Sequence, residues 1–162
     1  MLSKQILQER LKEAQLKREE LLVSTLRMLI SVINNKELEK GIKLSKTEPE
    51  DKVVELSKLT EMEILETISS EVKKRRESVL AFEKGNRKEL ADKERKEIEF
   101  LEKYLPEQIP EEELKKIIQE VISKTGAKEA KDIGRVMAEL MPKVKGKADG
   151  NLVSKIVKEL LV

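Results

Sequence analysis

The sequence predicts an all-α protein with an N-terminal helical region followed by a C-terminal three-helix bundle. Its 162 residues are rich in Leu, Ile, Val, Ala, Lys and Glu and include only 6 Gly and 4 Pro, a composition typical of helices. Apolar side chains recur every three or four residues, and no stretch alternates apolar and polar residues as half-buried strands do. We therefore expect helices throughout, and at least seven of them.

Two helices are expected at the start of the chain, over residues 4–16 and 19–39. One face of the second helix carries an apolar stripe, and Gly41 just beyond it indicates a stop. Residues 42–58 carry a mixed signal, because Pro49 interrupts a continuous helix but can also open a short new one. The stripe of the second helix consists of Leu22, Leu26, Leu29 and Ile33.

A long helix and a sparser one are expected to complete the N-terminal region. Thr60 and Glu63 have the spacing of a capping box, in which each side chain accepts a hydrogen bond from the other residue's backbone N–H. The apolar repeat that follows ends at Gly85, and a further helix is expected over residues 87–104. The repeat consists of Met62, Leu65, Ile68, Val72, Val79 and Phe82.

The segment 105–110 is the strongest candidate for a domain boundary. It contains Pro106 and Pro110, and each proline disfavours helix at the residue before it. The boundary separates an N-terminal helical domain, residues 1–105, from a C-terminal part, residues 106–162.

The C-terminal part carries three short apolar stripes, each wide enough to bury against two neighbouring helices. Gly126 is expected to end the first helix and Pro142 the second, while Asp149 is placed to cap the third. Three amphipathic helices of this length close most simply into a three-helix bundle of about 55 residues.

Composition excludes several kinds of catalytic site. The chain has no histidine and no cysteine, so it cannot form a Ser-His or Cys-His nucleophile pair or an ordinary zinc site. A metal site made of carboxylates alone stays open, although the Glu-x-x-His pair of helical di-iron proteins cannot be formed. We therefore assign no catalytic residue, no metal ligand and no cofactor, and expect a protein that works by binding.

Charge and hydropathy favour a cytoplasmic protein that makes no membrane contact. The 34 basic and 32 acidic residues nearly cancel, so the whole surface exerts no strong steering field. The N-terminal residues have no apolar run long enough for a signal peptide, and no apolar stretch approaches the ~20 residues of a membrane span. The absence of cysteine fits a reducing compartment.

Two basic segments are candidates for binding an anion. The run Lys73-Lys74-Arg75-Arg76 spreads over about 300° of a helix, so we interpret it as a solvated face. The segment 142–150 is more informative, because three lysines precede a helix N-terminus, whose free N–H groups and dipole favour an anion. An ordinary glycine-containing turn with lysines for solubility is the alternative interpretation. The three lysines are Lys143, Lys145 and Lys147.

Gly134 and the aromatic residues limit what the C-terminal part can do. Glycine inside a helix costs about 1 kcal/mol relative to alanine, so either a neighbouring helix or a ligand is expected close to Gly134. Close helix packing is the preferred interpretation. Phe82, Phe100 and Tyr104 all precede the C-terminal part, so any nucleic acid there is contacted through phosphate, ribose and shape instead of base stacking.

Four stretches carry a family resemblance: RMLISVINNKELE, SSEVKKRRESVLAFEKGNRKELADKE, EIEFLEKYLPEQI and DIGRVMAELMPKVKGKADGNLVSKIVKELL. At these residues the chain resembles the YqeY family (GatB/YqeY-like), small bacterial proteins, over nearly its whole length. The last stretch is also similar to the tail domain of the B subunit of tRNA-dependent amidotransferases, which ends in a Gly-x-Val-Met…Lys-Gly-x-Ala pattern. Residues 45–58 look like an insertion relative to shorter family members.

This resemblance implies a non-catalytic, tRNA-binding accessory protein, a free-standing counterpart of the amidotransferase tail. It transfers no catalytic residue, and a carbon–nitrogen ligase label with glutamine as amido-N-donor would be inherited from the larger enzyme. Met137 is assigned to the core. Gly134, Gly146, Asp149 and Gly150 are assigned to turns or close packing, and the candidates for tRNA contact are Arg135, Lys143, Lys145 and Lys147.

Two alternatives stay open. The protein is a helical interaction module that docks on an aminoacyl-tRNA synthetase or amidotransferase without touching RNA, or it is an amidotransferase component with ligase activity. The docking alternative predicts an exposed apolar patch, whereas tRNA binding predicts a basic one. The ligase alternative requires a phosphate-binding loop or a metal cluster, and the sequence contains no glycine-rich phosphate loop.

Overall fold

The computed structural model describes residues 2–107, 109–127, 129–144 and 146–161, with the backbone alone of Ala130. Helices account for most of these residues and no strand occurs among them, which confirms the all-α prediction. The chain divides into two compact units, Met1–Tyr104 and Leu105–Val162. Helix is absent between Glu102 and Glu111, so the predicted break at the two prolines is present in the residues described there.

The first unit is organised around its second helix. Helix α2 contacts each of the other four helices, and Leu26, Leu29 and Ile33 on its inner face are fully buried. The first helix has the predicted bounds. The five helices are α1 Lys4–Leu16, α2 Glu20–Leu44, α3 Glu50–Ser57, α4 Glu61–Lys84 and α5 Lys88–Glu102.

The prediction that Gly41 ends α2 is wrong, because the helix continues to Leu44. The Gly41 carbonyl accepts an intrahelical hydrogen bond from the Ser45 N–H at 2.9 Å. A Cβ atom built on Gly41 would lie 3.5 Å from the Cβ of Ser57, at the end of α3. That distance is an ordinary van der Waals contact, so α3 packs against α2 at this point and the helix continues through the glycine despite its low helix propensity.

The capping box at the start of α4 is confirmed. The Thr60 N–H donates to the Glu63 carboxylate at 2.7 Å, and the Glu63 N–H donates to the Thr60 hydroxyl at 3.3 Å. The inner face of α4 differs from the predicted repeat, because Met62 is 37 % exposed whereas Ile64 is buried. The buried face also includes two charged residues, Glu71 and Arg75.

The interpretation of residues 73–76 as a wholly solvated face is therefore wrong at Arg75, which is only 6 % exposed. Its Nε donates to the Glu97 carboxylate at 3.0 Å, and its Nη1 donates to the Glu71 carboxylate, also at 3.0 Å. Its Nη2 lies 2.9 Å from the sulfur of Met28. The guanidinium thus joins α2, α4 and α5, and a fully paired charge takes the place of an apolar residue in the core.

In the second unit, helices α6 Glu111–Thr125, α7 Ile133–Val144 and α8 Gly150–Leu160 each contact the other two. A 3₁₀ turn, Ala130–Asp132, leads into α7. Gly126 ends α6 with a φ of +65°, a conformation that glycine adopts without strain. The helices enclose a core whose described side chains are all apolar, centred on Leu114, Ile118, Val121, Val136, Leu140, Val153, Ile156 and Val157.

The prediction that Pro142 ends α7 is also wrong, since the helix runs on to Val144. Proline lacks the N–H that would bond to the preceding turn, so it weakens a helix wherever it lies inside one. Val144 is almost completely buried in the core of the unit. Burial of that side chain holds the last turn in place despite the missing hydrogen bond.

Candidate nucleic-acid interface

The lysines predicted to share one loop lie on different elements. Lys143 belongs to the last turn of α7, and Lys147 lies in the turn that comes after it. Both side chains are exposed, and no carboxylate of the described residues lies within 4.0 Å of either ammonium group. Lys145 falls outside the described residues. The two lysines that are described are therefore accessible to an external anion.

The turn that carries Lys147 is anchored to the start of the unit. The Ile109 N–H donates to the Lys147 carbonyl at 2.8 Å, and the Lys147 N–H donates to the Val144 carbonyl at 2.9 Å. Gly146 has a φ of +77°, a left-handed conformation that suits glycine and reverses the chain between α7 and α8. The backbone of the turn is thus held in place, while the lysine side chain extends into solvent.

Arg135 lies at the opposite end of α7 from Lys143. They are eight positions apart in the sequence, which corresponds to about 12 Å along the helix axis. Arg135 is 58 % exposed and pairs with Asp132 at 3.1 Å. Glu139 lies midway between the two cations in sequence and pairs with Lys124 at 3.2 Å. Helix α7 therefore presents two separate cations with a carboxylate between them, and not a continuous basic patch.

The N-terminus of α8 already has an anion of its own. The Asp149 carboxylate accepts hydrogen bonds from the N–H groups of Asn151 at 2.7 Å and Leu152 at 3.1 Å. This confirms the predicted cap but removes two of the free N–H groups that were expected to attract an external anion. A phosphate at this end of the unit must therefore bind chiefly to lysine side chains.

The close helix packing predicted at Gly134 is not found among the described residues. A Cβ atom built at Gly134 or at Gly150 would have no neighbouring atom of that part of the chain within 4 Å. Both residues lie in the first turn of a helix, Gly134 in α7 and Gly150 in α8. The starts of α7 and α8 thus present bare backbone at the surface.

Met137 is partly buried and packs against the core of the unit, as its assignment to the core predicted.

Charge is distributed unevenly along the second unit. Residues 131–158 contain seven positive and three negative residues, whereas residues 105–130 contain four positive and six negative ones. On α8, Lys155 and Lys158 are exposed, as are the described cations of α7 and the turn. The excess of positive charge therefore belongs to α7, α8 and their connection. These cations are spread over the exposed surface of both helices and their connection, and Lys155 lies 3.9 Å from the Glu159 carboxylate. We call the set, Arg135, Lys143, Lys147, Lys155 and Lys158, the α7–α8 basic surface.

These features define an all-helical protein whose second unit carries a basic surface on a wholly apolar described core. Residues 4–161 match a family model described as Yqey-like protein. The chain belongs to the YqeY family. Among curated proteins, none was found to be similar to it. The described residues form no helix that is both long and apolar enough to cross a membrane, and they contain no cluster of three or more acidic side chains arranged to hold a metal ion.

Proposed function

We propose that this protein is a non-catalytic accessory protein that binds folded tRNA through the α7–α8 basic surface. The observation that carries the proposal is the excess of four positive charges over residues 131–158, on side chains that are exposed wherever they are described. Similarity of the same stretch to the tail domain of the amidotransferase B subunit adds support. Lysine and arginine bind the phosphate backbone whatever the base sequence, so this surface suits recognition of shape.

The ion pair of Arg135 is compatible with that role. Exposed ion pairs contribute only about 0–1 kcal/mol, because solvent and salt screen them. Arg135 therefore exchanges Asp132 for a phosphate at little energetic cost. The guanidinium can form two parallel hydrogen bonds with a phosphate, which a lysine ammonium cannot.

The test replaces Lys143, Lys145 and Lys147 together by glutamate and measures binding of folded tRNA at low salt. Binding should be lost while helicity is retained, because the two described positions have exposed side chains. For the parent protein with about four phosphate contacts, raising salt from 50 to 200 mM should weaken binding roughly 50- to 150-fold. An unstructured strand should bind less well, since the unit offers no aromatic side chain for stacking free bases.

A matched control replaces Lys115 and Lys116 on α6 by glutamate, for comparison with the double replacement of Lys143 and Lys147. The change in net charge is the same and falls in the same unit, but α6 begins with three glutamates and lies outside the basic surface. The α6 variant should keep most of the affinity. Equal loss in both double variants would show that only net charge matters, and unchanged binding by the triple variant would reject the proposed surface.

Docking on a partner protein is the second candidate, and the first unit favours it. Helix α3 has no buried side chain, and Val54 and Leu56 on it are exposed. Leu38 and Ile42, one turn apart on α2, are exposed as well. Under this candidate, a purified aminoacyl-tRNA synthetase or amidotransferase should bind the parent and the lysine variant equally. A variant with Leu38→Asp and Ile42→Asp should lose that binding, as measured by analytical ultracentrifugation.

Catalysis is not expected from this chain alone. The amino acids present offer no histidine or cysteine to act as nucleophile or as general base near neutral pH. Purified protein should neither transamidate Glu-tRNA or Asp-tRNA nor hydrolyse glutamine or ATP. Turnover that depends on ATP and glutamine, and is lost when one carboxylate is replaced, would establish the ligase alternative instead.

A further inference from the structure

A cavity of about 500 Å³ opens on the first unit, and tRNA binding gives it no role. Its lining residues come from α1, from Glu19 and the first turn of α2, and from the end of α5 with the two residues after it. Sites for small molecules commonly have volumes of about 300–1,000 Å³ and mostly apolar walls with few polar groups. The apolar part of the wall is formed by Ile6, Leu21, Leu22, Phe100 and Tyr104.

The cavity contains two of the three aromatic side chains of the protein. Phe100 lies in the last turn of α5 and Tyr104 two residues beyond its end, and both side chains line the cavity. Burial raises the pKa of the Tyr104 phenol, and the Arg10 guanidinium offsets that effect only in part. The hydroxyl therefore stays protonated and available as a hydrogen-bond donor. This wall suits an apolar ligand with an acceptor group at one end.

Lys103 is the cavity cation that is free to bind an acceptor group. Its ammonium lies 5.5 Å from the centroid of the Phe100 ring, and no carboxylate of the described residues lies within 4.0 Å of it. Arg10 is already paired with Glu13 at 2.7 Å. Two carboxylates, Glu19 and Glu20, also line the cavity. The charge of Glu19 acts on Arg10, and Glu20 lies in the first turn of α2, where the helix dipole stabilises its charge. Lys103 is the C-cap of α5, where the negative end of the helix dipole favours its positive charge.

We propose that this cavity binds a small amphipathic carboxylic acid. Its apolar chain or ring packs against Ile6, Leu22 and the two aromatic rings. Its carboxylate pairs with Lys103 and accepts a hydrogen bond from the Tyr104 hydroxyl. Lys103 and Tyr104 directly follow α5 and both line the cavity, so a cation and a hydrogen-bond donor are present beside the apolar wall.

The test uses decanoate and 4-phenylbutyrate as probes and decanol as an uncharged comparison. Tyr104 is the only tyrosine and the chain has no tryptophan, so intrinsic fluorescence reports on the cavity directly. Both acids should bind saturably at one site by fluorescence and by calorimetry, and decanol should bind more weakly. Lys103→Gln should weaken decanoate binding roughly tenfold, as expected for loss of one charge-assisted hydrogen bond, and leave decanol unaffected.

Two further variants separate the cavity from general effects. Lys96→Gln removes the same charge at an exposed position on α5, the helix that Lys103 caps, but outside the cavity, and it should leave both affinities unchanged. Ile6→Trp should fill the cavity and abolish binding of the acids and of decanol, and it should fold because Ile6 is 42 % exposed. Absence of saturable binding at millimolar acid, or binding insensitive to both Lys103→Gln and Ile6→Trp in variants of normal helicity, overturns the proposal.

Discussion

The core of the first unit contains Arg75 and Glu71, whereas the described core of the second unit is entirely apolar. In the first unit the guanidinium joins carboxylates on α4 and α5, and each of its nitrogens has a partner. In the second unit the cations lie on the surface, and Lys143 and Lys147 have no carboxylate among the described residues within 4.0 Å. The first unit thus buries a paired charge in its core, whereas the charged side chains of the second unit that are described lie outside its core.

The comparison also shows why a count of charged residues is a poor guide to function. A buried ion pair adds little net stability over apolar packing, but removing one partner leaves the other buried without compensation. An exposed cation contributes almost nothing to folding and is free to act in binding. The basic run at residues 73–76 and the α7–α8 basic surface are both made of lysine and arginine, yet Arg75 is buried and paired whereas Lys143 and Lys147 are exposed.

The largest effect is expected from replacing Arg75. Arg75→Met leaves the Glu71 and Glu97 carboxylates without their guanidinium and should destabilise the first unit by about 3–5 kcal/mol. Urea unfolding followed by Tyr104 fluorescence measures this. Arg76→Met is the control, because its pair with Glu102 at 2.7 Å is exposed, and it should cost about 0–1 kcal/mol. Equal stability of Arg75→Met and the parent would show that the buried guanidinium has no structural role in the first unit.

A smaller effect is expected from the capping box. Thr60→Ala removes the hydroxyl that accepts from the Glu63 N–H, and it should lower the stability of the first unit by about 0.5–2 kcal/mol. The same unfolding measurement applies. Thr47→Ala is a suitable comparison, since that exposed hydroxyl only donates to the Leu44 carbonyl at 3.4 Å and caps no helix start. A larger loss from Thr47→Ala than from Thr60→Ala would contradict this account of α4.

The apolar core of the second unit should respond to a single methylene group. Ile118 is fully buried, so Ile118→Val should cost about 0.5–1.5 kcal/mol. Hydrogen exchange of the amides of α6, α7 and α8 should accelerate accordingly. If the two units unfold independently, the unfolding transition of the first unit, followed by Tyr104 fluorescence, should occur at the same urea concentration as in the parent. A parallel shift of both signals would mean that the units unfold together.

The smallest effect concerns two carboxylates near Arg75 that respond to pH in opposite directions. Burial raises the Glu71 pKa, but hydrogen bonds and charge from Lys74 and Arg75 outweigh it, so the folded-state pKa is lowered. The stabilisation from Glu71 is therefore present above its unfolded pKa and lost as the pH falls through the folded pKa. The Glu94 pKa is raised by burial and by the charge of Glu97, so ionised Glu94 destabilises the fold above that pKa.

Glu94→Gln should therefore raise the urea midpoint slightly at neutral pH and leave it unchanged below the ordinary glutamate pKa of about 4.3. Glu71→Gln should lower the midpoint at neutral pH, and that loss should shrink in acid. Unfolding curves at several pH values, followed by Tyr104 fluorescence, measure both. A gain from Glu94→Gln that persists in acid would show that packing, and not ionisation, is responsible.

The helical class and most helix ends were predictable from the order of the amino acids alone. The capping box of Thr60 and Glu63, the left-handed Gly126 and the Asp149 cap all act over three or four residues. Such contacts depend only on neighbouring residues, so a pattern in the sequence is enough to predict them. The apolar stripes of the second unit were predictable for the same reason, because one helix face determines which of its residues can be buried.

The tertiary structure decided the points at which a local rule was overridden. Helix α2 continues past Gly41, where α3 packs against it. Helix α7 continues past Pro142, and Val144 in its last turn is buried in the core. Arg75 is buried because α2 and α5 bring Met28 and Glu97 to it. The cavity beside Lys103 likewise exists only where α1, α2 and α5 meet. Each outcome depends on groups far apart in the chain, and the pattern along a single helix carries no information about which groups these are.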